Sequence, residues 1–362
     1  MNQTLSVVND SADFSPQLLT LARESRGFTQ KELADSISVT QGKISKIEDG
    51  LLQVTEDDLV KICSVLRYSR NFFFSNNSRR LSYVSFYRRR KRITARIASE
   101  CEARMDIIAM QVEQLLKVTE VGNKIIPEYD PDEVGGDIGK IAMLVRKALG
   151  LPRGPVKNLV KHLEDAGIVV VHFDFGSQKI DGCSARLRNG TPIIFLNPNL
   201  PPDRMFRTLA HELGHLVMHR FPQDDSLEES QAESFASEFL MPESDIVSQF
   251  YPVTVDRLAR LKLQWGVSMS SLLMRAFELG VIDDKRKTGL LIHMSKCGYR
   301  TNEPHSDKLK REYPTLLREL LGYYMEHLSY SKEDMMKMLW FLDPADYELE
   351  FEHPTTGLRI IR

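Results

Sequence analysis

The stretch His211-Glu212-Leu213-Gly214-His215 decides how the second half of this chain is expected to fold and work. Two histidines four residues apart lie on one face of a helix, so both rings can bind a single zinc ion. Glu212 then occupies the position of a general base beside the metal. We therefore predict a helix from about Asp203 to His219 that carries a metal-binding face.

A second acidic segment, EESQAESFASEFLMP, begins at Glu228. It predicts another helix, on which Glu229 and Glu233 are four residues apart. One of these acids can bind the metal while the other orients a metal-binding histidine through its free ring nitrogen. The residues alone leave open which acid has which role.

The residue types indicate hydrolysis. A zinc hydrolase needs about three protein ligands and one open position for water. Glu212 can take the proton of that water and pass it to a leaving amine. Gly214 would leave the metal and a substrate backbone unobstructed. His219 lies about 12 Å along a straight helix from His211, so we expect it at the surface or beside a ligand, not on the metal.

Short strands precede this helix. Ile168 to Val171 predicts a buried strand. The segments 182–188 and 192–196 predict two more, joined by Asn189-Gly190, which is a two-residue hairpin signal. Strands ahead of the histidine helix, followed by a helix with an acid, are the layout of a small zinc peptidase.

The first part of the chain, from about Ser15 to Phe74, predicts four or five short helices. Ser15-Pro16 is typical of a helix start, and Thr29 to Glu32 is a capping box. Thr40 and Thr55 can each cap a further helix. Two short helices joined by a tight turn are what a helix-turn-helix DNA reader requires.

The stretch FTQKELADSISVTQGKISKIEDG, residues 28–50, resembles the core of the XRE (Cro/C1-type) family of helix-turn-helix repressors. The resemblance covers about the first 75 residues and implies a double-stranded DNA operator as a partner. It implies phosphate contacts from Gln30 and Lys31, and base contacts from the stretch 41–46. The predicted DNA-binding residues are Gln30, Lys31, Thr40, Gln41, Lys43, Ser45 and Lys46. The alternative is a helical protein-interaction module that has lost its DNA contacts.

Two helical segments remain. A basic cluster, Arg88 to Arg92, precedes a long helical pattern and can either add phosphate contacts or form a solvated face. Near the end of the chain, Leu316, Leu317, Leu320, Leu321 and Leu328 form a stripe that is usual for a core or a dimer seam. Since repressor heads of this type engage two half-sites, we expect a homodimer, through this tail or through the segment 79–117.

Several segments together resemble the ImmA/IrrE family of metallopeptidases joined to an XRE head. They are GPVKNLVKHLEDAGIVVV, the strand pair, RTLAHELGHLVMH, AESFASEFLMP and LKLQWGVSMSSLLMRAFELGVI. The resemblance spans about residues 15–305 and implies a zinc endopeptidase, with one zinc per chain, that cleaves a repressor protein. As in several gluzincin-type peptidases, the order of the acids implies Glu229 as the third ligand and Glu233 as the orienting acid. At the position of Glu233 such motifs more often have Asn or Asp, and the chain departs from them there.

We therefore predict a multidomain fold: an all-α helix-turn-helix head and an α+β gluzincin-like metallopeptidase domain with a small sheet and a helical C-terminal region. The predicted bounds are 1–76 for the head, 77–134 for a basic helical linker, 135–300 for the peptidase domain and 301–362 for the C-terminal region, which is a candidate for dimerisation. The predicted metal ligands are His211, His215 and Glu229, and the predicted catalytic residue is Glu212.

Composition excludes other classes. The chain has 42% hydrophobic residues and a net charge of −2, which is ordinary for a globular protein. Its four cysteines form no C-x-x-C pair, so any metal must be held by histidine and carboxylate. No apolar run is long enough to cross a bilayer, and the first residues do not read as a signal peptide, so we expect a cytoplasmic protein without membrane contact.

Two functional hypotheses follow. In the first, the chain is a DNA-binding transcriptional regulator whose zinc endopeptidase domain cleaves a regulatory protein, a repressor or an antitoxin-like protein, in a stress, phage or mobile-element circuit. In the second, it is a transcriptional repressor or antitoxin whose peptidase-like domain only senses a ligand or binds a partner protein. An intact metal site is necessary for proteolysis but does not prove it.

Overall fold

The structure, a computed structural model, describes residues 13–75, 94–118, 126–219, 225–348 and 351. The chain forms two compact units. The first contains the described residues within 1–81, 92–119 and 317–356, and the second contains those within 120–316. The predicted basic cluster, Arg88 to Arg92, lies outside the described residues, and the four predicted domain bounds stay a prediction.

The head of the first unit is a bundle of short helices whose predicted starts are confirmed. Thr29 and Glu32 form the capping box, and the hydroxyls of Ser15, Thr40 and Thr55 each accept a hydrogen bond from a backbone N–H in the first helical turn. A long helix follows and packs against the first one. The helices are α1 (Pro16–Ser25), α2 (Gln30–Ser36), α3 (Gln41–Glu48), α4 (Glu56–Leu66), α5 (Arg70–Phe73) and α6 (Ala95–Leu115).

The second unit surrounds a three-stranded sheet with helices. The elements before and within the sheet are α7 (Ile138–Ala148), α8 (Leu159–Asp165), β1 (Val169–His172), β2 (Gly182–Arg186) and β3 (Pro192–Leu196). Those after it are α9 (Pro202–Met218), α10 (Asp225–Leu240), α11 (Glu243–Ile246), α12 (Val255–Trp265), α13 (Met269–Glu278) and α14 (Asp284–Lys296).

The sheet has the order β1-β3-β2, with β3 parallel to β1 and antiparallel to β2. The predicted hairpin between β2 and β3 is confirmed, but its loop has three residues instead of two. The reason is one further pair beyond the strands: the Leu187 N–H donates to the Thr191 carbonyl over 2.8 Å. Gly190 in this loop has a φ of 86°, a left-handed conformation that favours glycine.

The core of the second unit lies between the sheet and the helices α9 and α10. Ile194 and Leu196 of β3 are buried in one cluster with Leu209 and Leu213 of α9 and Phe235 of α10. Because these apolar residues occupy one side of α9, its histidines lie on another side, toward α10. The core therefore fixes the orientation of the predicted metal-binding face.

The C-terminal helices, α15 (Leu316–His327), α16 (Lys332–Met338) and α17 (Pro344–Tyr347), bring the chain back to the first unit from residue 317 on. The indole of Trp340 packs edge-on against Phe72, with ring centroids 5.7 Å apart. The Ser69 N–H donates to the Trp340 carbonyl over 2.9 Å, and the Gln111 side-chain amide donates to the Leu339 carbonyl over 2.9 Å. The tail thus completes the core of the head.

These contacts bear on the expected homodimer, which stays a prediction. Tyr324 is 1% exposed and its hydroxyl donates to the Gln114 carbonyl over 3.1 Å. Trp340 is 5% exposed. The same chain therefore covers these two tail residues, and a dimer would have to use other surface. Among the described residues, no helix is long and apolar enough to cross a membrane.

Candidate functional site

Three of the predicted site residues converge. The Nε2 atoms of His211 and His215 lie 3.1 Å apart. The Glu229 Oε1 atom lies 3.8 Å from the first and 3.6 Å from the second. His215 is 1% exposed, and all three side chains are largely buried. Helices α9 and α10 thus bring two nitrogens and one carboxylate oxygen to a common point.

This donor set fits a tetrahedral metal ion. With metal bonds of about 2.0–2.1 Å, the ligand atoms of a tetrahedral site lie about 3.3–3.4 Å apart. The three separations in the structure lie around that value, from 3.1 to 3.8 Å. Two imidazoles and one carboxylate are ligands that zinc takes in hydrolases. The residues present therefore fit one zinc ion.

The close approach of α9 and α10 depends on Gly214. A Cβ atom added there would lie 3.0 Å from the Phe235 ring and 3.3 Å from the Ala232 Cα atom. We expected Gly214 to leave room for a metal or a substrate, but its missing side chain makes room for α10. That packing is what brings Glu229 to the histidines.

Charge and burial act differently on the two histidines. Burial lowers the pKa of His215 to about 3. For His211, burial also lowers the pKa, but the carboxylates of Glu229, Glu212 and Glu233 outweigh it, so its pKa is raised. The His215 ring is therefore neutral near physiological pH and keeps a nitrogen lone pair for a metal.

Glu212 is held in place by β2. The Ser184 hydroxyl donates to the Glu212 Oε2 atom over 2.7 Å, and both residues are buried. Gly182, two residues earlier, lies so close to α9 that an added Cβ would be 2.7 Å from the Thr208 side chain. Arg186, two residues later, donates to the Leu216 carbonyl over 2.8 Å. Alternate residues of β2 thus meet successive turns of α9. Sequence reasoning missed Ser184.

His219 contacts a predicted ligand. Its Nδ1 atom lies 2.9 Å from the Nδ1 atom of His215, and its Nε2 atom lies 2.9 Å from the Gln231 Oε1 atom. His219 is buried, since it is 6% exposed. Of the two positions that we expected for His219, the structure therefore places it beside a ligand. Gln231 was missed, because no spacing rule distinguishes it within α10.

Glu233 faces the outer nitrogen of His211 at a distance longer than a hydrogen bond. The Glu233 Oε1 atom lies 3.7 Å from the His211 Nδ1 atom. The other oxygen of Glu233 forms an ion pair with Arg207, which precedes His211 by one helical turn. The predicted orienting role of Glu233 stays a prediction, and Arg207 is a partner that sequence reasoning missed.

In the first unit, α2 and α3 present the predicted DNA-binding residues. The Gln41 side chain donates to the Gln30 Oε1 atom over 2.8 Å, and Gln30 donates to the Glu48 carboxylate over 2.8 Å. Glu48 is in turn paired with Arg23 over 2.6 Å. A cleft of about 640 Å³ lies here, and Lys31 also lines it. This network holds the starts of both helices in one arrangement.

Three other predicted DNA-binding residues have partners within the head. Lys43 forms an ion pair with Asp58, with 2.6 Å between Nζ and Oδ2. Burial raises the pKa of Asp58, but hydrogen bonds from Lys43 and Thr55 outweigh it, so the pKa is lowered. Ser45 donates to the Asp49 carboxylate over 3.3 Å, and Thr40 caps α3. Lys46 is exposed, as are Lys31 and Gln41. All seven DNA contacts stay a prediction.

The fold and the two sites define a class of protein: a helix-turn-helix head joined to a peptidase-type domain with a His-His-Glu cluster. Comparison with protein families agrees. Residues 163–277 match the family model of the IrrE N-terminal-like domain, which is a peptidase family, and residues 19–73 match a helix-turn-helix family model. Residues 19–73 are therefore an XRE-type helix-turn-helix domain, and residues 163–277 are an ImmA/IrrE-like domain of the peptidase family, joined in one chain. A comparison with curated proteins found no match.

Proposed function

We propose that this chain is a DNA-binding transcriptional regulator that also cleaves another regulatory protein, a repressor or an antitoxin-like protein, as a zinc-dependent endopeptidase. The convergence of His211, His215 and Glu229 beside Glu212 is the observation that carries the proposal. The matches to a peptidase family and to a helix-turn-helix family support its two halves. A stress, phage or mobile-element circuit is the setting in which such a regulator would act.

Zinc at the three ligands would act as a Lewis acid that lowers the pKa of water and polarises the peptide carbonyl. The carboxylate of Glu212 accepts the proton of the attacking water and then passes it to the leaving amine nitrogen. The Ser184 hydroxyl, through its 2.7 Å hydrogen bond, holds that carboxylate in one orientation. On this proposal, the substrate is another regulatory protein and not bulk peptide.

The DNA half of the proposal rests on the surface of α2 and α3. Gln41 is exposed at the start of α3, and its hydrogen bond to Gln30 positions both amides. Amide side chains can pair with adenine in the major groove, while Lys31 can contact phosphates and Lys46 can reach a base edge. Lys43 would have to leave Asp58 in order to read a base, so Gln41 is the better residue to test.

Two substitutions test the peptidase part and the DNA-binding part of the proposal separately. Glu212→Gln should keep about one zinc per chain and keep DNA binding, but lower cleavage by roughly 10²–10⁴-fold, because the general base is lost. Gln41→Ala should keep cleavage and weaken binding to the preferred DNA by roughly ten- to a hundredfold. Cleavage is measured as new protein N-termini in cells that make each variant. DNA binding is measured on a sequence selected from a random duplex pool.

The outcomes distinguish the two hypotheses. Loss of the new N-termini in Glu212→Gln alone supports the peptidase. Identical N-termini in wild type and Glu212→Gln, with zinc bound and with repression dependent on Gln41, would instead favour a repressor whose peptidase-like domain senses a ligand or binds a partner. A wild-type protein that binds no zinc after reconstitution would contradict the proposed metal centre itself.

A further inference from the structure

The outer side of the metal cluster carries a chain of hydrogen bonds that the proposed reaction does not use. It runs from His215 Nδ1 to His219 Nδ1 over 2.9 Å, and from His219 Nε2 to Gln231 Oε1 over 2.9 Å. Nδ1 of His215 is the ring nitrogen that faces away from the cluster, since its Nε2 lies 3.1 Å from His211 Nε2. This series of hydrogen bonds therefore begins on the ring of a proposed metal ligand and ends on a side-chain amide.

The proton positions along this series of hydrogen bonds follow from counting the donors and acceptors of each group. A neutral imidazole has one N–H and one lone pair. If His215 gives the Nε2 lone pair to a metal, its proton must be on Nδ1, where it donates to His219 Nδ1. His219 then accepts at Nδ1 and must carry its own proton on Nε2. That N–H donates to the Gln231 carbonyl oxygen, which can only accept.

If both hydrogen bonds ran in the opposite direction, His215 could not bind a metal ion. If Gln231 turned its NH₂ group toward His219, the Nε2 atom of His219 would have to accept and its Nδ1 atom would have to donate. His215 would then accept at Nδ1 and carry its proton on Nε2, the atom that must be free for the metal. The direction of one amide therefore decides whether His215 can bind a metal ion.

We propose that His219 and Gln231 are positioning residues that fix His215 in its metal-binding tautomer. Because His219 donates through Nε2 to the Gln231 amide oxygen, its Nδ1 atom is left to accept the N–H of His215. A carboxylate or a backbone carbonyl has this accepting role at many zinc sites. Burial keeps bulk water from supplying an alternative partner to His219, because it is 6% exposed. The site would thus be prepared for the metal before the metal arrives.

The test compares two replacements of Gln231. Gln231→Met has a similar length but is only a weak acceptor for the His219 N–H, so zinc should bind roughly 10–100-fold more weakly. In Gln231→Glu, the ionised carboxylate accepts and has no proton to donate. This variant should therefore bind zinc as tightly as wild type or more tightly. Ser230→Ala changes the exposed neighbour on α10 and should leave zinc affinity unchanged. Affinity is measured by competition with a chelating dye, on the full chain.

A second readout does not involve the metal. In metal-free protein with isotope-labelled histidine, long-range proton–nitrogen NMR correlations show which ring nitrogen carries each proton. We expect the proton of His215 on Nδ1 and that of His219 on Nε2 in wild type, and mixed tautomers in Gln231→Met. Unchanged thermal unfolding of the metal-free variants excludes a folding defect as the cause of weaker binding.

The inference rests on the proposed metal centre but not on peptidase activity. Wild-type protein that binds no zinc would contradict the proposed function. Two results would overturn the positioning role of His219 and Gln231 without contradicting the proposed function. They are equal zinc affinity in wild type and Gln231→Met, and a His219 proton found on Nδ1. Weakened binding in both Gln231→Met and Gln231→Glu would also overturn it, because the acceptor would then not be what matters.

Discussion

At the level of single residues, a largely buried histidine lies outside the proposed metal cluster. His172 is the last residue of β1, and its Nε2 atom has no hydrogen-bond partner among the described residues. Burial lowers its pKa to about 4, and the charge of Arg311 acts in the same direction. Protonation of His172 is therefore much harder in the folded protein than in an unfolded chain.

This shift predicts a pH dependence. Unfolded histidine has a pKa of 6.5, so between 6.5 and about 4 the unfolded chain binds a proton that the folded chain does not. The contribution of His172 to stability is present above pH 6.5 and is lost as the pH falls through this window. At about 1.4 kcal/mol per pKa unit, the loss is on the order of 3 kcal/mol.

The substitution His172→Gln should make the free energy of unfolding depend less on pH between pH 6.5 and about 4. Urea unfolding of the metal-free second unit, measured at both ends of the window, should show a smaller loss of stability in the variant than in wild type. The histidines of the metal cluster are present in both proteins, so their contribution cancels in the comparison. Parallel profiles for the two proteins would contradict the prediction.

What the sequence could predict at this scale depended on local spacing. The spacing of one helical turn predicts His211, Glu212 and His215 as site residues. The choice of Glu229 over Glu233 came from the family resemblance and not from spacing. Ser184 precedes Glu212 by 28 residues, and its contact exists only because β2 lies along α9. The pairing of Lys43 with Asp58 has the same origin, since it joins two helices whose packing no local pattern describes.

At the level of elements, the contact between α9 and α10 determines the geometry of the proposed metal site. Gly214→Ala should push these helices apart, because neither the Phe235 ring nor the Ala232 backbone can give way easily. Overpacking of this kind costs about 1–3 kcal/mol, against a gain of up to about 1 kcal/mol in helix propensity. We expect a lower unfolding midpoint and weaker zinc binding.

Gly289 provides the matched control. It lies within α14, and an added Cβ there meets nothing within 4 Å. Gly289→Ala should therefore stabilise the protein by up to about 1 kcal/mol and leave zinc binding unchanged. If both alanine variants raised the unfolding midpoint, close packing at Gly214 would not limit the approach of the two helices.

Element starts were easier to predict than element ends. Ser15, Thr29, Thr40 and Thr55 act through hydrogen bonds within one turn, which the local sequence specifies. The hairpin loop after β2 was predicted one residue too short, because the pairing of Leu187 with Thr191 depends on strand register and not on the turn residues alone.

At the level of the whole molecule, the tail belongs to the core of the first unit. Trp340→Ala should destabilise that unit by about 3–5 kcal/mol, since a large buried ring would be lost. DNA binding should fall with the stability of the head, while the zinc content of the second unit should stay as in wild type. Thermal unfolding, DNA titration and elemental analysis of one preparation measure all three quantities.

Leu342 is the control for this substitution. It lies two residues beyond Trp340 and is 50% exposed, so Leu342→Ala should change the unfolding midpoint little. A Trp340→Ala protein with wild-type DNA binding and stability would show that the head does not need the tail. The sequence could not predict this association, because the apolar stripe of the tail has the same pattern for a core as for a dimer seam.

The discontinuous first unit has a consequence for the order of events during synthesis. Translation makes residues 120–316, which are all the described residues of the second unit, before it makes Trp340, so they are synthesised before the core of the head can close. A nascent chain would then carry a finished metal centre while its DNA-reading surface still lacked support. On the proposed function, each newly made molecule would be able to cut its target before it could occupy an operator.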